Sequence, residues 1–227
     1  MKTNEPIHIA IDGPTASGKG SISKLLSARL GIPTLDTGAM YRGIAVYFFD
    51  NPIDLADKTA LNDALSKVDL KVALAPSGTR VFINGVDVTP RIRDNNISLL
   101  TSRIAVLPEV RQKLVAIQQA IAKTSPFILE GRDIGSEVLP NAQFKFFLTA
   151  SPEVRASRRW KELLAKGSNL DFSEVLEQVN MRDKTDINRP FGALKKVPDA
   201  IEIDSSSLTP DGVIAEMLAH INGNNPR

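Results

Sequence analysis

The 227-residue chain has no cysteine and only two histidines. The first absence excludes disulfides, thiolate metal sites and a cysteine nucleophile. The second narrows the general bases on offer. His8 lies in an apolar strand-like run and His220 in the last helical pattern, and neither has a nucleophile and a carboxylate spaced for joint action. Both read as structural or solvated, so any chemistry is expected to run without a histidine base. Aromatic residues are 5% of the chain and do not interleave with basic ones, which leaves no stacking surface for RNA. No run of about 18 apolar residues exists to span a membrane, and the opening MKTNEPIHIAID lacks the layout of a secretory leader. Basic residues number 28 against 26 acidic ones, too small an excess to argue for nucleic acid. The expectation is a cytoplasmic protein that handles small molecules, with no nucleic-acid or membrane partner.

Hydrophobic residues make up 42% of the chain, enough for one sizeable core, or for a core with a smaller inserted lobe. Strand-like runs at residues 7–12, 127–130, 144–149 and 200–204 are separated by helical patterns, including 18–30 and 108–123. Two further helices open on SPE after Ala150 and on TPD at Thr209, each a cap followed by proline and an acid in the positive first turn. Strands alternating with helices predict an α/β fold, a doubly wound parallel sheet with helices on both faces. One stretch breaks the alternation. Residues 68–74, 80–83 and 86–88 read as short strands, and Asn84-Gly85 is a strong two-residue hairpin signal. Residues 65–105 therefore read as a small inserted lobe.

The first strand delivers a loop that fits glycine-x4-glycine-lysine and opens a helix. Gly13, Pro14, Thr15, Ala16, Ser17 and Gly18 leave room for successive backbone N–H groups to turn inward around phosphate oxygens. The helix start points its positive end at the anion, and Lys19 adds a full charge. Serine or threonine is the usual next residue. Here it is Gly20, with Ser21 one place later, a departure that weakens a nucleotide-hydrolase reading. It resembles instead the GKG[ST] form of nucleoside monophosphate kinases. A strand-to-helix turn that matches by chance is disfavoured by the strand before it and the amphipathic helix after it.

Arginines recur elsewhere. SPEVRASRRW places Arg155, Arg158 and Arg159 on one helix face, where like charges destabilise by roughly a few tenths of a kcal/mol per pair. An anion, or pairing to Glu153 or Glu162, is expected to relieve them. NMRDKTDINRP reads as a loop carrying Arg182, Asp183, Asp186 and Arg189, suited to a bidentate grip on phosphates. LEGRDIG puts Glu130, Arg132 and Asp133 at the carboxyl end of a central strand, where open α/β sheets hold ligands. LDTGAMYR puts Asp36, Thr37 and Arg42 just after the first helix. Transfer of a phosphoryl group to an acceptor phosphate gives such a set its physical reason. Two polyanions must meet, the acceptor is already ionised (second pKa about 6), and cations with correct positioning do most of the work.

With those motifs in hand, the chain resembles the bacterial cytidylate kinases over nearly its whole length. The resemblance is carried by IDGPTASGKGS, LDTGAMYR, EGRDIG, RRW, RDKTDINR and AIEIDSS, and by VFINGVDVTPRIR, which looks like their enlarged monophosphate-binding insert. It implies a P-loop kinase that moves the γ-phosphate of ATP, with Mg2+, to CMP or dCMP. It implies a single domain over 1–227, with an acceptor lobe near 65–105 and a lid near 151–190. Gly13 to Ser21 and Arg158 would hold ATP, and Lys19, Arg132, Arg158, Arg159 and Arg189 would be the catalytic cations. Arg42, Arg132 and Arg189 would grip the acceptor phosphate, and Arg182 and Asp186 would address the sugar. Ser102, Arg111 and Asp133 would read the base, and Asp36 and Thr37 belong to the same acceptor set. No carboxylate is assigned to magnesium, with Asp36 and Glu130 both open. Thr37 stands where serine is also common and Ser21 where threonine is, and both keep the hydroxyl. A monomer is expected. The competing readings are an adenylate, uridylate or shikimate kinase, against whose shorter forms the insert speaks, and a nucleotide sensor or RNA-binding module that turns nothing over.

Overall fold

The computed structural model describes residues 6–75, 78–165 and 167–223. In chain order the elements are β1 (His8–Asp12), α1 (Lys19–Leu30), β2 (Thr34–Leu35), α2 (Thr37–Asp50), α3 (Lys58–Lys67), β3 (Leu70–Ala75), β4 (Gly78–Ile83) and β5 (Val86–Asp87). They continue as α4 (Asn95–Ile104), α5 (Pro108–Ala122), β6 (Phe127–Gly131), a π-helical turn (Ile134–Val138), β7 (Phe144–Thr149), α6 (Pro152–Leu164), α7 (Phe172–Ile187), β8 (Ile201–Asp204) and α8 (Pro210–Gly223). Two compact units result: Pro33–Phe127, and Ile7–Ile32 together with the chain from Ile128 onward.

Local chemistry sets many of these boundaries. Ser151 Oγ accepts the Val154 N–H and Pro152 fills the first position of α6. α7 opens with a capping box, in which Asp171 accepts from the Glu174 N–H at 2.8 Å and Glu174 accepts from the Asp171 N–H at 2.9 Å. Once started, α7 runs to Ile187, close to Pro190, before which helical backbone is disfavoured. Arg182, Asp183 and Asp186 are therefore helical, not in a loop as their arginine-rich context suggested. Only Arg189 lies beyond the helix.

In the first unit, β3, β4 and β5 form an antiparallel sheet. The Asn84-Gly85 turn takes left-handed φ values of 49° and 83°, as a two-residue hairpin requires. α2 crosses this sheet closely at Gly43, where a Cβ would lie 2.6 Å from Val81 Cγ1. Met40, Ile44, Leu61, Val81, Ile97 and Leu114 form its buried interior.

In the second unit the strands lie in the order β6-β1-β7-β8. β1 pairs with β7 in parallel (Ile9 opposite Phe144), and β7 with β8 (Phe146 opposite Ile201). All five residues of β1 are buried, as a central parallel strand with both faces covered should be. Its core joins Ile9, Ile11 and Phe146 of the sheet to Leu26 of α1 and Met217 of α8. The result is the expected α/β architecture: a parallel sheet flanked by helices, and a small antiparallel sheet. Among the described residues no helix is long and apolar enough to cross a membrane.

Candidate active site

The loop after β1 is shaped by its neighbours. At Gly13, with φ 153°, a Cβ would come 2.0 Å from the Leu148 carbonyl oxygen of β7, so no larger residue can leave the sheet here. Ala16 (φ 55°) and Gly18 (φ 94°) turn the chain in the left-handed region. α1 then begins at Lys19 with no side-chain cap on its first N–H groups. Uncapped amides at the positive end of a helix, behind a loop of small residues, make an anion-binding cradle.

The Lys19 ammonium is folded onto that loop. It donates to the carbonyls of Gly13 (2.9 Å) and Pro14 (2.7 Å) and to Ser17 Oγ (3.4 Å). Burial, and then the charge of Arg132, bring its pKa down to about 7. A cleft of about 660 Å³ opens beside it. Ser17 to Ser21, Glu130, Arg132 and Arg158 line the cleft, and Leu208, Pro210 and Val213 give it an apolar wall. The departure at Gly20 has a local reason. A Cβ there would sit 3.2 Å from Glu130 Oε1, so the glycine leaves room for a carboxylate beside the loop.

Asp12 was not singled out from sequence, although an acid that closes an apolar strand was its signal. The residue is 4% exposed, and its carboxylate accepts from the N–H groups of Ile134 (2.8 Å) and Gly135 (2.7 Å). Burial raises its pKa above the ordinary value against the pull of those two bonds. Asp12 thus fixes the turn after Arg132 and Asp133 to the strand that ends at the loop. Asp133 itself is buried at the start of the π-helical turn.

The arginines gather around carboxylates. Asp186 is fully buried and pairs with Arg132 (2.6 Å), with Arg189, and more distantly with Arg182 (3.6 Å). The three arginines on α6, grouped by sequence as one charged face, part company in the structure. Arg155 is buried against Asp183 at 2.6 Å. Arg158 donates to Ser205 Oγ (3.0 Å) and to the Ser205 carbonyl (2.6 Å) and lines the cleft. Arg159 pairs on the surface with Glu162 at 3.3 Å. Each has found its own partner, which relieves the like-charge repulsion that the spacing predicted.

The remaining predicted residues lie in the first unit. Asp36 caps α2, accepting from the Ala39 N–H at 2.9 Å, and Thr37 is the first residue of that helix. Arg42 follows on α2, with Nη1 and the Asp36 carboxylate each 3.1 Å from the position a Cβ on Gly38 would occupy. Ser102 is exposed on α4 and donates to the Ser98 carbonyl, while Arg111 on α5 reaches the Tyr41 hydroxyl at 3.5 Å. Among the described residues no group of three or more His, Cys, Asp or Glu forms a metal cage.

Comparison with known proteins identifies the family. The family model described as Cytidylate kinase matches residues 9–223. A cytidylate kinase of Caldicellulosiruptor bescii is 43% identical over 212 residues, 93% of this chain and 94% of its own. Those of Carboxydothermus hydrogenoformans (40% identical, 96% and 99% covered) and Geobacillus thermodenitrificans (42%, 95% and 96%) match as extensively. Among solved structures, an uncharacterized protein from Eubacterium ventriosum superposes with a TM-score of 0.55 at 15% identity, covering 97% of this chain and 100% of its own, which is a likeness of fold.

Proposed function

The chain belongs to the cytidylate kinase family, and from that premise we propose that it moves the γ-phosphate of ATP to CMP or dCMP, giving CDP or dCDP and ADP. The observation that carries the reading is the cleft itself, where a phosphate loop, its lysine and two arginines, Arg132 and Arg158, line one space. Nothing in that set is a strong base, and none is required. A phosphate monoester is already an anion at neutral pH, so the obstacle is repulsion between two polyanions and not deprotonation.

In this reading the loop from Gly13 to Ser21 holds the triphosphate through the backbone amides beyond Thr15, and Lys19 leaves the carbonyls of Gly13 and Pro14 for the phosphate oxygens. Arg158 and Arg159, on the lid near 151–190, act from the donor side. Arg42, Arg132 and Arg189 take the acceptor phosphate, and charge that develops on the transferred group meets fixed cations. Arg182 and Asp186 serve the sugar. Ser102, Arg111 and Asp133 read the base, with Asp36, Thr37 and the lobe near 65–105 completing the acceptor side. A carboxylate accepts from the exocyclic amine of cytosine and an arginine donates to its ring nitrogen and carbonyl. Uracil presents the opposite pattern at two of those positions and leaves buried groups unpaired. Mg2+ would be held mainly by the phosphates and water, since it gives up its hydration reluctantly, and among the described residues Ser21 and Glu130 are oxygen donors that line the cleft beside the loop. When bound, it would neutralise charge on the triphosphate.

An ADP-release assay with ATP and Mg2+ tests the reading, offering CMP, dCMP, UMP, AMP and shikimate in parallel. CMP and dCMP are expected to turn over well and UMP poorly. Equal use of UMP defeats the base-reading assignment, and release of ADP only with AMP or shikimate defeats the acceptor class.

A further inference from the structure

Thr15, in the phosphate loop, is held on both sides. Its N–H donates to Asp183 Oδ1 at 3.3 Å, and its carbonyl accepts from Arg155 Nη1 at 3.1 Å. The two side chains are themselves joined, Arg155 Nη1 to Asp183 Oδ2 at 2.6 Å. Arg155 Nε also donates to the Ala150 carbonyl at 2.9 Å, so the guanidinium is anchored just past β7. The Arg155 side chain is 5% exposed and that of Asp183 16%, so water cannot readily replace either partner. A closed ring of bonds thus runs from α6 and α7 onto the backbone of the loop.

The next residue has need of such a ring. Ala16 sits at φ 55°, a left-handed conformation rare for residues that carry a Cβ. Backbone of this kind persists where its surroundings over-determine it. Two directional bonds on the preceding residue supply that constraint. Charge also separates this pair from the phosphate-binding cations. Lys19 and Arg158 line the cleft, whereas Arg155 and Asp183 do not, and they neutralise each other. The pair aligns the cradle without adding to its charge.

We propose that Arg155 and Asp183 are positioning residues for the donor nucleotide. They fix the Thr15 peptide groups so that the amides beyond it converge on the triphosphate, an inference that rests on reading this loop as the ATP site. α7 carries Asp186 three residues after Asp183, so one turn of one helix sets both the loop and the arginines Arg132 and Arg189.

Asp183→Ala, Asp183→Asn and Arg155→Lys test the proposal in the 227-residue chain. Two readouts need no acceptor: amide hydrogen exchange across residues 13–21, and calorimetric binding of ATP with Mg2+. Asp183→Ala is expected to speed loop exchange and raise the ATP Kd, each by about tenfold or more, while the KM for CMP stays within about twofold. Asp183→Asn keeps an oxygen for the Thr15 N–H but loses the charge facing Arg155, so it should fall between; it also serves if the alanine variant does not fold. Arg155→Lys cannot reach Ala150, Thr15 and Asp183 together and should resemble Asp183→Ala. Unchanged exchange, an unchanged ATP Kd, or an equal rise in both KM values overturns the proposal and marks the pair as a general support of the fold. Should the unmodified enzyme bind no ATP, the donor reading falls with it, while exchange across the loop still decides whether the pair holds Thr15.

Discussion

Arg132 Nε lies 2.6 Å from the carboxylate of Asp186, 54 residues away in the chain and fully buried. Backbone bonds fasten both ends of this contact. The Asp186 carbonyl accepts from Leu194 N–H at 2.8 Å and the Arg132 carbonyl from Lys195 N–H at 3.3 Å. Arg189 shares the same carboxylate, so one buried anion holds two of the cations assigned to the acceptor phosphate.

Asp186→Asn keeps the shape of that side chain and removes its charge. Arg132 is then left largely buried without its counter-ion, a change that typically costs about 3 kcal/mol or more. Arg182 adds little to this, since its side chain is 60% exposed and water screens it. Urea denaturation is the measurement. A loss of stability below about 0.5 kcal/mol would mean that Asp186 is not the counter-charge of the cluster.

Lys19 offers a prediction about protons. Burial, followed by the charge of Arg132, holds its pKa at about 7, down from 10.5. Above that value the free enzyme increasingly carries a neutral amine, whereas bound phosphates favour the ammonium. Binding of ATP with Mg2+ should therefore take up almost no proton at about pH 6 and close to one at about pH 8.5, and affinity should weaken as the pH rises between them. Calorimetry in two buffers of different ionisation enthalpy measures this. Lys19→Ala should abolish the uptake and lower kcat by roughly a hundredfold or more. Wild-type binding with no uptake at the higher pH contradicts the assignment.

The two outcomes rest on features that differ in how far the sequence announces them. The phosphate loop is local, nine consecutive residues that run from the end of a strand into the first turn of a helix, and its glycines mark where side chains are forbidden. The hairpin is equally local, since Asn84-Gly85 needs only its own φ values. Arg155 and Asp183 lie 28 positions apart, and nothing in their spacing says that one neutralises the other. The face of three arginines looked uniform because partners such as Ser205 and Asp183 come from distant elements. Arg182, Asp183 and Asp186 looked like loop residues because charge obscured the helical period, although the capping box at Asp171 marks where α7 begins. Asp12 shows the same limit. An acid at the end of a strand is visible, but the two amides that it binds belong to a turn more than 120 residues away.

Asp133 tests selectivity for the base. Asp133→Asn is isosteric, so it spares the buried packing while replacing one acceptor oxygen with a donor. The KM for CMP should rise by about tenfold or more, with that for ATP changed by less than about twofold, and the preference for CMP over UMP should narrow. Steady-state kinetics with both substrates varied gives the split. A parallel rise in both constants would place Asp133 in the general architecture of the site and not at the base.

The central claim is that phosphorus passes from one nucleotide to another inside a ring of fixed cations. Phosphorus NMR of the purified protein with ATP, Mg2+ and CMP follows that atom directly. The account predicts CDP and ADP appearing in equal amounts with no inorganic phosphate. Inorganic phosphate accumulating in place of CDP, or no turnover with CMP at all, would contradict it.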